Sequence, residues 1–197
     1  MCKNIDKIIE ERKQFCEDVS NNEIKIDDAI SIDEVSFCVD EVKNYGFSKK
    51  NKEIKKLLKH KHNKERLSVI TAIDKNGVIA YEIHDKSVNG DKYLDFFKKN
   101  IDHFKDRYTL QDNINFHRYY KLKEFALENN IILQYIPAYT PEFNPIELIF
   151  SKVKKIFRKL DHKNIKNDII ESLSKITKTD TKHFYDHTIN IMKKTLL

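Results

Sequence analysis

The spacing of apolar residues divides the chain into helical and extended stretches. Ile5, Ile8, Ile9, Phe15 and Val19 recur at helical intervals, so residues 4–19 read as an amphipathic helix. Residues 29–39 are apolar and β-branched, broken only by Asp33, Glu34, Ser36 and their like, and read as a strand. A second, short strand is expected over 45–48. Two further β-type runs, 67–73 and 78–84, flank Asp74-Lys75-Asn76-Gly77, the composition of a tight hairpin turn. Tyr93, Phe96, Phe97, Ile101 and Phe104 make one apolar face of a helix over 90–104. Residues 107–111 read as a short strand, 117–129 as a helix and 131–136 as a buried strand. All three prolines fall between Pro137 and Pro145 and mark one rigid loop. A helix is expected to start at Asn144 or Pro145 and run to Leu160, with Ile146, Ile149, Phe150, Val153 and Phe157 as its core stripe. Helices over 164–177 and 181–195 follow.

That order begins with a helix and a three-strand meander, then alternates helix and strand and ends in helices. It predicts an α/β fold: a mixed sheet with helices on both faces, the order of RNase H-like architecture.

Composition narrows the class. In 197 residues, 40% are hydrophobic, enough for one core of ordinary size. Lys and Arg number 37 against 31 Asp and Glu, a net charge of +6 that points to a polyanion partner. No apolar run approaches the length of a membrane span, and the N-terminus alternates charge with Ile, unlike a secretory signal. Cys2, Cys16 and Cys38 lack metal-type spacing, which fits a reducing compartment.

Three acids stand out. Asp33 lies inside an apolar strand, where an unpaired carboxylate is costly. Asp112 follows a second strand, and Glu147 opens a helix. If the first and fourth strands are parallel neighbours, Asp33 and Asp112 stand side by side, and a helix packed over that edge delivers Glu147. Three carboxylates in one place repel one another and need cations. Two Mg²⁺ ions roughly 3.5–4 Å apart would neutralise them and clamp an in-line phosphoryl displacement. Other readings stand beside this one. Glu147 also fits a capping box with Asn144 as N-cap, and Asp112-Asn113 fits a plain turn. Asp40 and Asp74 rank below Asp33, and strand alternation points Glu34 to the opposite face.

At these residues the chain resembles the DDE transposases of mariner elements and their bacterial insertion-sequence relatives. The matching pieces are Ser31-Ile32-Asp33-Glu34-Val35-Ser36-Phe37, Leu110-Gln111-Asp112-Asn113 with His117-Arg118, and Tyr139-Thr140-Pro141-Glu142-Phe143-Asn144-Pro145-Ile146-Glu147. Thirty-four residues separate Asp112 from Glu147, a spacing typical of one branch of that family. The resemblance implies an RNase H-like catalytic domain in which Asp33, Asp112 and Glu147 bind two Mg²⁺ or Mn²⁺ ions. It implies cleavage of phosphodiesters at transposon ends and joining of the 3′-hydroxyl ends to target DNA, without a covalent protein–DNA intermediate. It also implies DNA as partner, a homodimer or higher synaptic assembly, and no membrane. The setting would be the cytoplasm or nucleoid of a bacterium, or a eukaryotic nucleus. On this reading residues 1–24 form a helical arm, 25–160 the catalytic domain, and 161–197 helices packed on it. Relatives carry helix-turn-helix units ahead of this region. Only 32 residues precede Asp33 here, so a separate DNA-reading module is expected.

Basic residues suggest where DNA would lie. Lys152, Lys155 and Arg158 follow Glu147 on one helix and are candidates for phosphate contact; a solvated helix face is the alternative. His117, five residues after Asp112, is a further candidate for phosphate contact, or a capping or packing residue. The lysine-rich stretch 49–64 fits either DNA or dimer contact. Two rival functions remain at this stage: an RNase H-like nuclease without strand transfer, and a non-catalytic DNA-binding or assembly protein derived from a transposase.

Overall fold

The computed structural model describes residues 5–38, 66–114 and 117–196. The expected strand at 45–48, the lysine-rich stretch and Asp40 lie outside the described residues. The described strands are β1 (Ile30–Cys38), β2 (Arg66–Asp74), β3 (Gly77–His84), β4 (Tyr108–Gln111) and β5 (Ile132–Tyr135). They form one sheet in the order β3-β2-β1-β4-β5. The first three are an antiparallel meander, while β4 runs parallel to β1 and β5 parallel to β4. The expected hairpin is present: Asp74 pairs with Gly77, and the Asp74 carboxylate accepts the Asn76 N–H at 2.7 Å. Gly77 has φ 143, a conformation that a side chain would strain.

The helices are α1 (Ile5–Ser20), α2 (Gly90–Lys99), α3 (Ile101–Phe104), α4 (Tyr120–Glu128), α5 (Pro145–Phe157), α6 (Ile165–Ser174) and α7 (Lys178–Thr195). Strand alternation divides them between two cores. Ile30 and Ile32, with Ile70 and Ala72, meet Tyr93, Phe96 and Phe97 of α2 and Leu122 of α4. Val35 and Phe37, with Val69 and Ile73, meet Ile146, Ile149 and Val153 of α5 and Tyr185 of α7. The expected mixed sheet with helices on both faces is therefore what the chain forms.

Several expected boundaries move for local reasons. The helix over 90–104 breaks at Asn100, whose side-chain amide donates to the Phe96 carbonyl at 2.8 Å and closes α2. α7 starts before residue 181 because Thr177 and Asp180 form a capping box. β5 is not buried as expected. It is the outermost strand, and Ile132 on it is exposed.

Candidate active site

β4 and β5 end together while β1 runs on beside them, and the acids gather where β4 stops. The last residue pair between β1 and β4 is Ser31 with Leu110, and β4 stops at Gln111. β1 continues past that point, so no strand lies beside Asp33 on the β4 side. The Glu34 N–H, left without a ladder partner there, donates to Asp33 Oδ1 at 2.7 Å. Asp112, directly after β4, turns into the gap. Ligand atoms of Asp33, Asp112 and His117 lie within 4.8 Å of one another. A crevice at the carboxyl ends of parallel strands is where such sheets commonly place their ligands.

Glu147 arrives from the other side of the chain fold. α5 packs against β1, and Asn144 precedes its first turn. The capping-box reading of Glu147 does not hold, because the Asn144 side chain makes no cap hydrogen bond. The Asn144 Oδ1 instead accepts a hydrogen bond from the Ser31 hydroxyl, which in turn accepts the Ile146 N–H at 3.3 Å. Glu147 stands outside the tight group of Asp33, Asp112 and His117. It lines the same cleft as Asp112, a space of about 480 Å³ walled also by Asn113, Pro137, Tyr139 and Asn144.

Electrostatics mark the cluster as strained without a cation. Burial, and then the charges of Glu34 and Asp112, push the Asp33 carboxyl well above the usual carboxylate range. His117 and the Glu34 N–H pull the other way without reversing it. Burial, followed by the charge of Asp112, also raises Glu147, against the opposing charge of Lys154. Oxygen donors of this kind suit a hard divalent cation. The fit extends to Asn113, whose Oδ1 is buried beside Asp112 with no hydrogen-bond partner among the described residues. Asp33 and Asp112 bring carboxylate oxygens close enough for a shared cation, and Glu147 lines the same cleft as Asp112.

His117 is not placed for phosphate contact. Its ring is 0% exposed and stacks on Tyr93 with centroids 4.4 Å apart. Nδ1 contacts the Asp112 carboxylate, and Nε2 lies 3.2 Å from Glu34 Oε2. Burial works to lower its pKa, but hydrogen bonds to Asp112 and Glu34 outweigh it and raise the value to about 9. Both ring nitrogens face carboxylate oxygens, so the ring is placed to steady Asp112 beside the cluster it shares with Asp33.

The expected basic face of α5 is also rearranged. Lys152 pairs with Asp180 of α7 at 2.5 Å. Lys152 and Lys155 line a separate groove with Leu148, Ile156 and Phe184. Arg158 follows the last residue of α5 and is exposed. The cation whose charge reaches Glu147 is Lys154, seven residues along the helix. That spacing of two turns was the signal in the sequence. Tyr139 is 67% exposed and holds φ 62 on the cleft wall. Glu34 was set aside on strand alternation, and the Asp-Glu pairing itself was the only hint of its part.

The sequence pattern of the DDE superfamily endonucleases matches residues 28–169. The chain belongs to that family. Solved structures of the Mos1 mariner transposase share its fold. The Mos1 paired-end complex with left transposon end superposes with a TM-score of 0.78 at 16% identity, covering 96% of this chain and 61% of that one. The Mos1 paired-end complex with Mn gives 0.77 at 16%, covering 96% and 62%. The Mos1 catalytic domain with raltegravir and Mg gives 0.74 at 15%, covering 96% and 94%. This DDE family member therefore spans about three-fifths of the full Mos1 chain and nearly all of its catalytic domain. The shared fold is RNase H-like. A comparison with curated protein sequences finds no match. Among the described residues, no helix is long and apolar enough to cross a membrane.

Proposed function

We propose that this chain is the catalytic domain of a mariner-related transposase. It cleaves phosphodiesters at transposon ends and joins the 3′-hydroxyl ends to target DNA. The observation that carries the reading is the convergence of Asp33 and Asp112 where β4 ends beside β1, with Glu147 on the wall of the Asp112 cleft. The Mos1 complexes with a transposon end, with Mn and with Mg support both DNA and a divalent ion as partners.

Asp33, Asp112 and Glu147 would hold two ions. Bound there, such ions supply activation of the attacking water or hydroxyl and stabilisation of the leaving oxygen. The chain's own residues do the holding. Asp33 is fixed by the Glu34 N–H and Asp112 by His117, while Glu147 rides on a helix fastened to β1. Lys154 offsets part of the negative charge at Glu147. Synapsis as a homodimer or larger assembly, and a separate helix-turn-helix module, belong to the same reading. So does the division of the chain into an arm at 1–24, the catalytic domain at 25–160 and attached helices at 161–197.

The test is an in vitro reaction of the purified protein with supercoiled plasmid and a duplex bearing a free 3′-hydroxyl. Nicking that requires Mg²⁺ or Mn²⁺, together with joining of the duplex to plasmid, is the expected result. Nicking without joining would instead favour a nuclease. No metal-dependent chemistry, with DNA binding intact, would favour an assembly protein.

A further inference from the structure

Glu34 lies on the face of β1 opposite Asp33, yet its carboxylate reaches the same cluster. Alternation sends Asp33, with Ser31, Val35 and Phe37, toward α5, and Glu34, with Ile30 and Ile32, toward α2 and α4. β4 ends early, and His117 is buried beside the gap this leaves next to β1. The residue is held through both its ring and its main chain. Tyr93 stacks on it, the Tyr135 hydroxyl donates to the His117 carbonyl at 3.0 Å, and its two nitrogens face two different carboxylates. The Tyr93 hydroxyl donates to Gln111, the residue before Asp112, at 3.0 Å.

We propose that Glu34 is a positioning residue: through the His117 ring it fixes the rotamer of the Asp112 carboxylate, setting a metal-binding oxygen from the far face of the sheet. The inference rests on the metal-centre reading above. Asp112 sits at the first position beyond a strand, with a partly exposed side chain that would otherwise sample several rotamers. His117 Nδ1 lies against the Asp112 carboxylate and, at 3.2 Å, against the Asp112 backbone carbonyl, so the ring holds the residue at both its main chain and its side chain. Orientation of first-shell ligands by such partners is a general feature of metal sites.

Packing alone does not account for Glu34. A neutral acceptor of the same length would hold Nε2 equally well, so the role assigned to Glu34 is its reach; its charge, which raises Asp33 and Glu147, is a separate burden. That repulsion is a cost to the metal-free protein, and bound cations offset it. Reach also matters: a shorter acid on the same backbone would stop well short of the ring.

Two conservative variants separate position from charge. Glu34→Asp keeps the charge and loses the reach; Glu34→Gln keeps an oxygen at the same reach and loses the charge. Mn²⁺ affinity is read by electron paramagnetic resonance of the free ion, with thermal unfolding in EDTA reporting that each protein is folded. The wild type is expected to bind Mn²⁺ and Asp33→Asn to lose it. Glu34→Asp should bind about tenfold or more weakly, in the range of other outer-shell changes, while Glu34→Gln keeps most of the wild-type affinity. The reverse order, or equal affinity in all three Glu34 proteins, overturns the inference and leaves the metal centre standing. A wild type that binds no Mn²⁺ overturns the metal centre itself.

Discussion

The Ser31 hydroxyl accepts the Ile146 N–H at 3.3 Å, so a residue of the central strand caps the first turn of α5. Helices usually satisfy their first N–H groups from their own N-cap. Here the Asn144 side chain turns instead to Ser31, and the pair fastens the helix to the strand. Ser31 lies two residues before Asp33 on the same strand face, and Ile146 lies one residue before Glu147. The fastening therefore fixes the distance between two of the proposed metal ligands.

Ser31→Ala removes both bonds at once. It leaves the Ile146 N–H and the Asn144 side chain short of a partner in a buried setting. We expect a loss of about 1–3 kcal/mol in urea unfolding, the range for a buried group left unsatisfied, with the missing cap acting in the same direction. Metal-dependent cleavage should fall further than stability alone explains, because Glu147 is no longer held at a set distance. Equal stability of the variant and the wild type would show that the cap is idle.

Asp33→Asn should move stability and activity in opposite directions. The Asp33 carboxyl is raised by burial and by the charges of Glu34 and Asp112. A raised carboxylate destabilises the folded state as pH climbs above the unfolded value near 3.8, because the unfolded chain ionises first. In EDTA at neutral pH, Asn at this position removes that burden and still offers an oxygen to the Glu34 N–H. The variant is expected to melt higher than the wild type in EDTA and to gain less from Mg²⁺. Its cleavage rate should drop by more than about 100-fold, beyond the range for outer-shell residues.

How far the sequence disclosed this arrangement depends on which physical rule governed each residue. Asp33 was legible because a carboxylate within an apolar strand is expensive and needs a reason. Asp112, which also fitted a plain turn, stood out through its place after a strand and through the family resemblance. The two-sided sheet was legible because apolar alternation on β1 and β2 is strong. Glu34 was not. Alternation fixes where a Cβ points, but it says nothing about where a neighbouring strand stops or what loop fills the gap. His117 illustrates the same limit, since its burial depends on Tyr93 and Glu34, both distant in the chain. Ser31 as a cap in trans, and the exposed Tyr139 at φ 62, are products of tertiary packing that no local pattern encodes.

In the metal-free protein His117 should titrate late. Burial opposes its charge, but Asp112 and Glu34 hold the proton to a pKa of about 9. A histidine raised above its unfolded value near 6.5 adds stability that is complete below that value and lost as pH rises through about 9. The stability difference between wild type and His117→Asn in EDTA should therefore shrink across that window. A ¹⁵N imidazole titration reads the pKa directly, and a midpoint near 6.5 would contradict the two-carboxylate environment.

Lys152 and Lys154 are two residues apart on α5 and should behave differently. The Asp180 carboxylate is held down at about 2, first by its hydrogen bond from Lys152, with Thr177 assisting. A depressed carboxylate adds stability above its unfolded value near 3.8, and loses it as pH falls toward about 2. Lys152→Met removes the partner that anchors the first turn of α7 to α5, so its effect is expected in unfolding experiments above pH 4. Lys154 instead opposes the negative charge around Glu147. Lys154→Met should raise the Glu147 pKa further, moving the acid limb of the cleavage profile to higher pH. If Lys154 also meets a DNA phosphate, the slope of log affinity against log salt falls by about one in Lys154→Met and stays at the wild-type value in Lys152→Met. Identical slopes for all three proteins would place the DNA backbone away from this face of the helix, and the cleft would then take its strand from the Tyr139 side.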